Sequence, residues 1–495
     1  DEFTIKQLAG DLLPGGTLDD LVATGFHRNT LINQEGGSDP EQFRVESIID
    51  RVDTTGAVWL GLTLECARCH THKFDPISQR EYFEIYAFFD NAQDRNGSSP
   101  TVEVPASPAF ERADRAWREA VDALREFDKA HPERAKAKDD PERKTLAGEV
   151  SRRERERRRH VVEAMVIRER DGKPRTTRVH IRGDFLREGD EVSPGVPQVL
   201  PALEIAGEGR LTRLDLARWL VRDDHPLTPR VLVNRMWMRL FGRGLVETEN
   251  DFGRQGSPPT HPELLDWLAS ELVRLDWSQK RLQREILLSA TYRQSSHRRP
   301  ELDRIDARNL LLARQSRFRV TAEIVRDIGL GASGLLTREI GGPSVYPPQP
   351  DGVFDFTQVK RTWKASEGAD RFRRGLYTFL WRSAPHPFLS TFDLPELQET
   401  CTRRQRSNTP LQALTLANDE AVIEFARALA RRALAERGPD SKAVIARMLR
   451  LGVGRAPEAE EIARLDEFRV SQEELWRGDL DAALDVAPYA ARDDA

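Results

Sequence analysis

Apolar residues in this chain recur mainly at the three- and four-residue spacing of amphipathic helices. The clearest helical stretches are residues 3–9, 18–26, 41–64, 211–220, 229–241, 261–275, 282–292, 409–434 and 442–475. Strand-like spacing occurs at residues 163–167 and 177–181, which flank a turn signal at residues 171–174, and again at residues 372–381. The pattern predicts a mainly α, multi-domain helical protein with a small β element.

A charged segment interrupts the apolar pattern between residues 107 and 160. Arg, Glu, Lys, Asp and Ala dominate it, and it is broken near Pro132 and Pro141. This composition predicts a solvated helical hairpin inserted into the fold. Its basic run, residues 152–159, is interleaved with Glu154 and Glu156. The run therefore favours an exposed helix face over a nucleic-acid surface.

These changes in pattern divide the chain into five predicted parts. Residues 1–105 hold the cysteine motif, residues 106–162 form the charged hairpin, and residues 163–205 form the small β segment. Residues 206–480 are a mostly helical C-terminal domain, and residues 481–495 are a tail. A chain of 495 residues is expected to hold more than one core.

Charge and hydropathy argue against nucleic acid as a partner and against a membrane span. The net charge is -5, from 76 basic and 81 acidic residues, so no global field favours nucleic acid. No apolar run approaches the roughly 18 residues that a membrane-spanning helix requires, so no membrane span is expected.

The chain begins at Asp1 without a Met. We expect a removed upstream portion with a signal peptide, and hence a periplasmic or secreted protein.

The most specific chemical feature is the sequence Cys66-Ala67-Arg68-Cys69-His70. Cys-x-x-Cys-His is the attachment pattern of a c-type haem. Each thiol adds to a haem vinyl group, and the adjacent His reaches the iron from the proximal side. Two of the three cysteines in the chain lie in this motif. The first hypothesis is therefore a haem bound by Cys66, Cys69 and His70, whose sixth iron ligand the sequence does not indicate.

Two other chemistries remain open for the same residues. With His72, the motif offers two thiolates and two imidazoles, which is a complete ligand set for structural zinc. Cys-x-x-Cys alone also permits a redox-active disulfide. Cys401 is left over, and we expect it to be a small buried hydrophobic residue.

A second candidate site precedes the helical stretch that starts at residue 409. Its five residues are Arg403, Arg404, Arg406, Asn408 and Thr409. Asn408 or Thr409 would cap the helix, with Pro410 in the first turn. Guanidinium groups beside a helix N-terminus can hold an anion such as a sugar carboxylate or sulfate. The alternative is a structural network in which the arginines bind Asp393 or Glu396.

Blocks of sequence in both halves of the chain resemble one known family. The first set is LAGDLLP at residues 8–14, ATGFHRN at 23–29, RVDTT at 51–55, and WLGLTLECARCHTHKFDPI at 59–77. These blocks resemble the planctomycete secreted cytochrome-like family. The second set is VNR at 233–235, FGRGLV at 241–246, NDFG at 250–253, HPELLDW at 261–267, SATYRQS at 289–295, and residues 404–414. It resembles the usual C-terminal partner domain of that family.

The resemblance implies where the protein is located and that it carries a haem-type motif. It does not imply a particular reaction. Family members usually carry an export signal, often with a further cytochrome-c-like domain upstream, and are associated with extracellular polysaccharide breakdown. The family often has a His pair where this chain has Arg239 and Leu240, so no distal ligand or metal is expected there. The C-terminal end, residues 475–495, also lacks the usual closing helix pattern.

Three functional hypotheses follow. The first is a secreted or periplasmic c-type cytochrome-like redox protein with a redox partner. The second is a non-redox extracellular binding or scaffold protein with zinc at the Cys/His cluster. The third is a glycan-acting enzyme with the Arg403–Arg406 region near the substrate. No hydrolase motif, such as Gly-x-Ser-x-Gly or His-Glu-x-x-His, supports the third hypothesis.

Overall fold

The computed structural model describes residues 1–30, 32, 39–93, 100–137, 139–204, 209–302, 304–355, 357, 361–397 and 401–486. The chain divides into two compact units, Asp1–Arg317 (unit 1) and Phe318–Ala495 (unit 2). Most of the predicted tail, residues 487–495, lies outside the described residues. The five-part division of the sequence stays a prediction.

Helices dominate both units, which confirms the mainly α fold. The helices of unit 1 are α1 Glu2–Ala9, α2 Leu18–Ala23, α3 Pro40–Thr55, α4 Gln79–Phe89, α5 Phe110–Ala130, α6 Pro132–Lys136, α7 Pro141–Arg158, α8 Arg213–Leu220, α9 Thr228–Phe241, α10 Pro262–Arg274, α11 Gln279–Leu288 and α12 Ala290–Arg293. Those of unit 2 are α13 Ala322–Ser333, α14 Gly368–Arg371, α15 Pro387–Thr391, α16 Pro410–Asn418, α17 Glu420–Arg437, α18 Ser441–Val453, α19 Ala459–Arg477 and α20 Leu480–Val486. Within the described ranges, no helix has both the length and the apolar character needed to cross a bilayer.

In the described parts of the chain, the strands form two antiparallel pairs rather than the single small sheet that the sequence pattern predicted. The strands are β1 Thr101–Pro105, β2 Val161–Met165, β3 Thr177–His180 and β4 Glu188–Val192. β2 pairs with β1, and β3 pairs with β4. β1 precedes α5 and β2 follows α7, so their pairing closes the base of the hairpin. Residues 372–381, predicted as a strand, make only isolated bridges.

The charged hairpin is confirmed as two long antiparallel helices, α5 and α7. Arg143 makes two hydrogen bonds to the Asp128 carboxylate across the pair, at 2.8 and 3.1 Å. Arg157 donates to Asp114 at 2.7 Å, and its guanidinium lies 4.9 Å from the Trp117 ring centroid. The two helices are thus joined by ion pairs and by an arginine packed on an aromatic ring.

Helix α4 lies at the centre of the main core of unit 1. Its start is a capping box, in which Ser78 and Glu81 satisfy each other's backbone N–H groups. The helix carries a dense aromatic block that is almost completely buried. Its members are Tyr82, Phe83, Tyr86, Phe88 and Phe89. Burial on several faces explains why this helix is apolar nearly all round, which a surface helix is not.

A buried arginine joins three distant segments of unit 1. Arg213, at the start of α8, is 0 % exposed. Its guanidinium binds both carboxylate oxygens of Asp11, at 3.0 and 2.7 Å, and Glu169 at 3.1 Å. It also donates to the Leu8 carbonyl at 2.7 Å. The buried charge is therefore matched by two carboxylates and a carbonyl, which a stable buried ion pair requires.

Replacing Arg213 should strongly destabilise unit 1. Arg213→Leu would leave the Asp11 carboxylate, 4 % exposed, without its cation. We expect a loss of about 3–5 kcal/mol in the free energy of unfolding, measured by urea titration with circular dichroism. Arg152→Ala, which breaks an exposed pair with Glu149, is the control and should cost less than about 0.5 kcal/mol. Equal losses for the two variants would contradict this role of Arg213.

Unit 2 is built around α13, which packs against α17 and α18. Leu330, Ala421 and Phe425 form a small buried cluster. A Cβ on Gly329 would lie 2.5 Å from the Phe425 ring, so a glycine permits this close helix approach. Arg326 is buried beside the same ring and donates to the Arg371 carbonyl at 2.8 Å. Its burial lowers the pKa of Arg326 to about 10.

Candidate thiol and histidine site

The cysteine motif lies on a single short turn of helix. Residues Glu65–Arg68 form a 3₁₀ turn, and Cys69 follows as its C-terminal cap. Ala67 is 0 % exposed and anchors the turn in the core, whereas Cys66 and Cys69 are exposed and free. The turn therefore presents both thiols to solvent around one buried residue.

His70 is exposed and held by its own neighbour. Its Nδ1 lies 2.7 Å from the Thr71 carbonyl oxygen. Because the carbonyl can only accept, Nδ1 carries the proton, and the lone pair of the neutral ring is on Nε2. This tautomer is the one that a histidine ligand uses when Nε2 binds a metal ion.

His72 has a different role, since it closes the turn that follows the motif. It is buried, and its Nδ1 accepts hydrogen bonds from the backbone N–H of Asp75 at 2.8 Å and of Phe74 at 3.4 Å. Its own backbone N–H donates to the Ile77 carbonyl at 2.8 Å. Nδ1 of His72 is therefore used by the backbone. Only Nε2 would be left for a metal ion.

The four residues proposed for zinc are not gathered into one ligand set. In the part of the chain that the structure describes, no group of three or more His, Cys, Asp or Glu side chains is placed to hold a metal ion. His72 is buried, while Cys66, Cys69 and His70 are exposed. Haem, zinc and disulfide all stay predictions for this motif.

A loop from the second half of unit 1 supports the motif on one side. The Asp75 carboxylate accepts from the Arg254 backbone N–H at 2.8 Å, and the Phe252 N–H donates to the Gly61 carbonyl at 2.7 Å. A Cβ on Gly253 would lie 2.4 Å from the Asp75 carboxylate. Only glycine permits this close approach, so the loop fixes the position of Asp75 and the turn that His72 closes.

Gly253→Ala should loosen this support. The added methyl would displace Asp75 from the Arg254 N–H, and we expect unfolding to become easier by about 1–3 kcal/mol in thermal or urea denaturation. Gly148→Ala, within the exposed helix α7, is the matched control because its Cβ would meet nothing within 4 Å. It should stabilise the chain by about 0.5–1 kcal/mol, since alanine favours a helix. An unchanged stability in Gly253→Ala would show that the contact has no role.

The β3–β4 hairpin supports the motif on another side. A Cβ on Gly183 would lie 2.7 Å from the Cys69 Sγ, and Gly183 has a φ of +76°. Both the left-handed backbone and the close sulfur contact require glycine at this position. The Gln79 side-chain amide donates to the Arg68 carbonyl at 2.8 Å and to the His180 carbonyl at 3.1 Å. Gln79 thereby joins the cysteine turn to β3.

A largely buried carboxyl group, Asp53, lies in the same region at the end of α3. Its Oδ1 is buried and meets no hydrogen-bond partner among the residues that the structure describes. Burial raises the pKa of Asp53 to about 7, and the negative charge of Glu65 adds to the effect, while Tyr82 and Arg68 oppose it. Near neutral pH the group is therefore divided between its acid and carboxylate forms.

The Asp53 carboxyl group should make stability fall as pH rises. Its pKa is higher in the folded chain than the ordinary 3.8, so the folded state binds the proton more tightly. The resulting stabilisation is complete at low pH and is lost as pH rises through about 7. Relative to Asp53→Asn, the native chain should lose about 2 kcal/mol between about pH 5 and pH 8, a value discounted for the partial exposure of the group.

Urea unfolding of the native chain and of Asp53→Asn at a series of pH values measures this difference in the free energy of unfolding. Asp122→Asn, on an exposed part of α5, controls for the removal of one acidic charge. A pH profile that is the same for the native chain and Asp53→Asn would contradict the assignment.

The second predicted site lies in unit 2, where its residues take separate roles. Thr409 is the N-cap of α16 and forms a capping box with Gln412, so the predicted cap and Pro410 at the first position are confirmed. Arg404 binds Glu323 at 2.6 Å, and Arg406 lies 4.6 Å from the Phe318 ring centroid. Arg403 and Asn408 are exposed. Anion binding by these five residues stays a prediction.

Two details near this segment differ from expectation. The Asp393 carboxylate accepts from Arg319 and from the Ser407 N–H and hydroxyl groups, so Arg319 provides a partner that the sequence analysis did not identify. Cys401 is exposed, and its thiol donates to the Arg403 carbonyl at 3.3 Å. The expectation that Cys401 is buried was wrong, and residues 402–406, which follow it, are polar and exposed or only half-buried.

Sequence reasoning missed the residues that position the motif. Gly183 and Gly253 act through close contacts with segments distant in sequence, for which a single sequence contains no local signal. The burial of Asp53 could have been predicted, since this acidic residue follows the buried Val52 on a helix whose apolar stripe faces the core.

Two family models match the chain. The model described as PSCyt2, protein of unknown function (DUF1549), covers residues 1–94. The model described as PSD1, protein of unknown function (DUF1553), covers residues 212–469, just over half of the chain. These matches confirm the predicted domain pair and its order, whereas the cytochrome-like character stays a prediction. Neither the curated proteins nor the solved structures contain a match. The chain therefore belongs to the PSD1 family of proteins of unknown function (DUF1553), with a PSCyt2 (DUF1549) segment at residues 1–94.

Proposed function

We propose that this chain is a periplasmic or secreted c-type cytochrome-like redox protein, with haem attached at Cys66 and Cys69 and its iron bound by His70. The observation that carries the proposal is the presentation of these three residues on one exposed turn. Both thiols are free, and His70 directs its Nδ1 proton to a backbone carbonyl. Covalently bound haem would supply a one-electron iron couple at this surface.

The donor set and its surroundings fit such a group. The Nδ1 hydrogen bond of His70 orients the ring and leaves Nε2 for iron, as in other histidine-ligated metal sites. Apolar surface is also present beside the turn. Phe74 is 42 % exposed, and Ile181, in the loop that contacts Cys69, is 39 % exposed. A porphyrin face needs such apolar contacts to be shielded from water.

The neighbouring residues would act by positioning. Ala67 holds the turn in the core, Gly183 limits where the Cys69 sulfur can lie, and the turn closed by His72 sets the direction of the chain after His70. The zinc-scaffold alternative would have to use Nε2 of buried His72, because Nδ1 already accepts two backbone hydrogen bonds. A link to extracellular polysaccharide breakdown rests on the family resemblance alone.

Expression of the full chain in a host that matures c-type cytochromes tests the proposal. The purified protein should show a sharp α-band on reduction, and the colour should remain with the chain after denaturation, because thioether bonds survive unfolding. Cys66→Ala combined with Cys69→Ala should abolish the covalent haem. Cys401→Ser, which changes the exposed cysteine outside the motif, should retain it.

Metal analysis of the same samples separates the alternatives. One equivalent of zinc without haem, lost together with the fold on chelation, would replace the redox proposal with a structural zinc site. Absence of both groups, with a Cys66–Cys69 disulfide that forms and opens reversibly, would assign thiol redox chemistry instead.

A further inference from the structure

A loop on the surface of unit 1, residues 304–317, carries arginine and large apolar side chains together, and we call it the arginine loop. Ile305 is 76 % exposed and Leu311 is 64 % exposed. Single exposed apolar residues are common on proteins, but two in one strongly basic loop are the composition of an interaction surface. The charged residues of the loop are Arg304, Arg308, Arg314, Arg317 and one acidic residue, Asp306.

Hydrogen bonds fix the backbone of the arginine loop. The Asp306 carboxylate accepts from two successive backbone N–H groups, the second that of Leu311, each at 2.7 Å. These bonds hold Leu311 close to Asp306, the residue that follows Ile305. The Asn309 side chain closes the second half of the loop, since it donates to the Arg314 carbonyl at 2.8 Å and accepts from the Arg314 N–H at 3.3 Å. The two apolar side chains therefore project from one defined backbone.

The loop is also attached to the body of unit 1. The Gln294 side-chain amide donates to the Leu312 carbonyl at 2.6 Å, and the Arg317 guanidinium donates to the Ser296 hydroxyl at 3.1 Å. Leu312 packs against the hydrophobic cluster of α9, α10 and α11. Because Leu312 enters the core while the adjacent Leu311 stays in solvent, the exposure of Leu311 is set by the fold.

Most of the positive charge of the loop is not neutralised within it. Arg308 binds Glu247 at 2.7 Å. Arg304 and Arg314 form no ion pair with any residue that the structure describes. The Asp306 carboxylate already accepts two backbone hydrogen bonds. The guanidinium groups of Arg304 and Arg314 are consequently available to an anionic partner.

The sequence just before the loop adds to this charge. From the end of α12 to the end of the arginine loop, the chain holds seven arginines and three acidic residues. Of the acidic residues, Glu301 binds Arg299 at 3.1 Å, and Asp303 lies outside the described residues. The local charge is thus positive although the whole chain carries -5. Such a local excess attracts an anionic surface over about a Debye length.

We propose that the arginine loop binds an anionic phospholipid membrane surface. Ile305 and Leu311 enter the boundary between headgroups and acyl chains, where burial of a large apolar side chain is favourable. Arg304 and Arg314 pair with the lipid phosphates above them. A phospholipid surface offers anionic and aliphatic partners in adjacent layers, whereas a nucleic acid or an acidic polysaccharide offers the charge without an aliphatic layer. This proposal does not depend on haem attachment.

Vesicle flotation of the full chain tests the proposal. The probes are phosphatidylcholine vesicles prepared with and without phosphatidylglycerol. At about 0.1 M salt the chain should float with the phosphatidylglycerol vesicles and bind to phosphatidylcholine alone at least about tenfold more weakly. Raising the salt to about 0.5 M should weaken binding to the anionic vesicles, because salt screens the arginine charges.

The apolar contact is tested by Ile305→Ser combined with Leu311→Ser. This double variant should bind the anionic vesicles about tenfold or more weakly, because both inserted side chains are lost. Both side chains are exposed, so the variant should fold, which circular dichroism verifies. The matched control is Leu186→Ser combined with Val199→Ser, which removes two exposed apolar side chains elsewhere in unit 1 and should leave binding unchanged.

The charge contact is tested by Arg304→Gln combined with Arg314→Gln. Loss of the two guanidinium groups should also weaken binding to the anionic vesicles by about tenfold or more. The control is Arg112→Gln combined with Arg115→Gln, which removes the same charge from exposed positions of α5 and should have no effect.

Three results would overturn the proposal. Equal binding to the two kinds of vesicle would show that the arginine charge is not used. Full binding by either double variant of the loop would show that the loop is not the contact. No binding to either vesicle would leave an acidic protein as the partner of the loop. Cys66→Ala combined with Cys69→Ala should bind like the native chain, which separates this test from the haem proposal.

Discussion

The buried guanidinium of Arg213 is the contact on which the organisation of unit 1 depends. It joins Asp11 and Leu8 in the PSCyt2 segment to Glu169 in the β segment, and Arg213 itself lies at the start of the PSD1 match. Because a buried charge is tolerated only with partners in place, these three segments must meet for the unit to fold. The two sequence families consequently share one compact unit up to residue 317.

This shared unit explains how the cysteine turn is held. The turn belongs to the PSCyt2 segment, yet Gly253 of the PSD1 match packs against Asp75, and Gly183 of the intervening segment packs against Cys69. Exposed thiols on an otherwise unsupported loop would lack a defined geometry. The supports from two other parts of the chain give the motif the rigidity that a functional site needs.

Much of the fold was predictable because it depends on local physics. Helical periodicity, the proline breaks of the charged hairpin and the cap at Thr409 each act within a few residues, and the structure contains them. Strand pairing was not predictable in the same way. β2 and β3 are close in sequence, but β2 pairs with β1 across the whole hairpin, since that pairing follows from where α5 and α7 bring the chain.

The helical class, the family and the Cys66, Cys69 and His70 motif could be predicted from the amino-acid order alone, since these depend on residue order and spacing. The packing of distant segments was needed to show that His72 faces inward and serves its own turn, and that Asp53 is a largely buried acid with a pKa of about 7. Burial and the partners available to a charge are set by segments far apart in the chain. Spacing along the sequence does not encode those contacts directly.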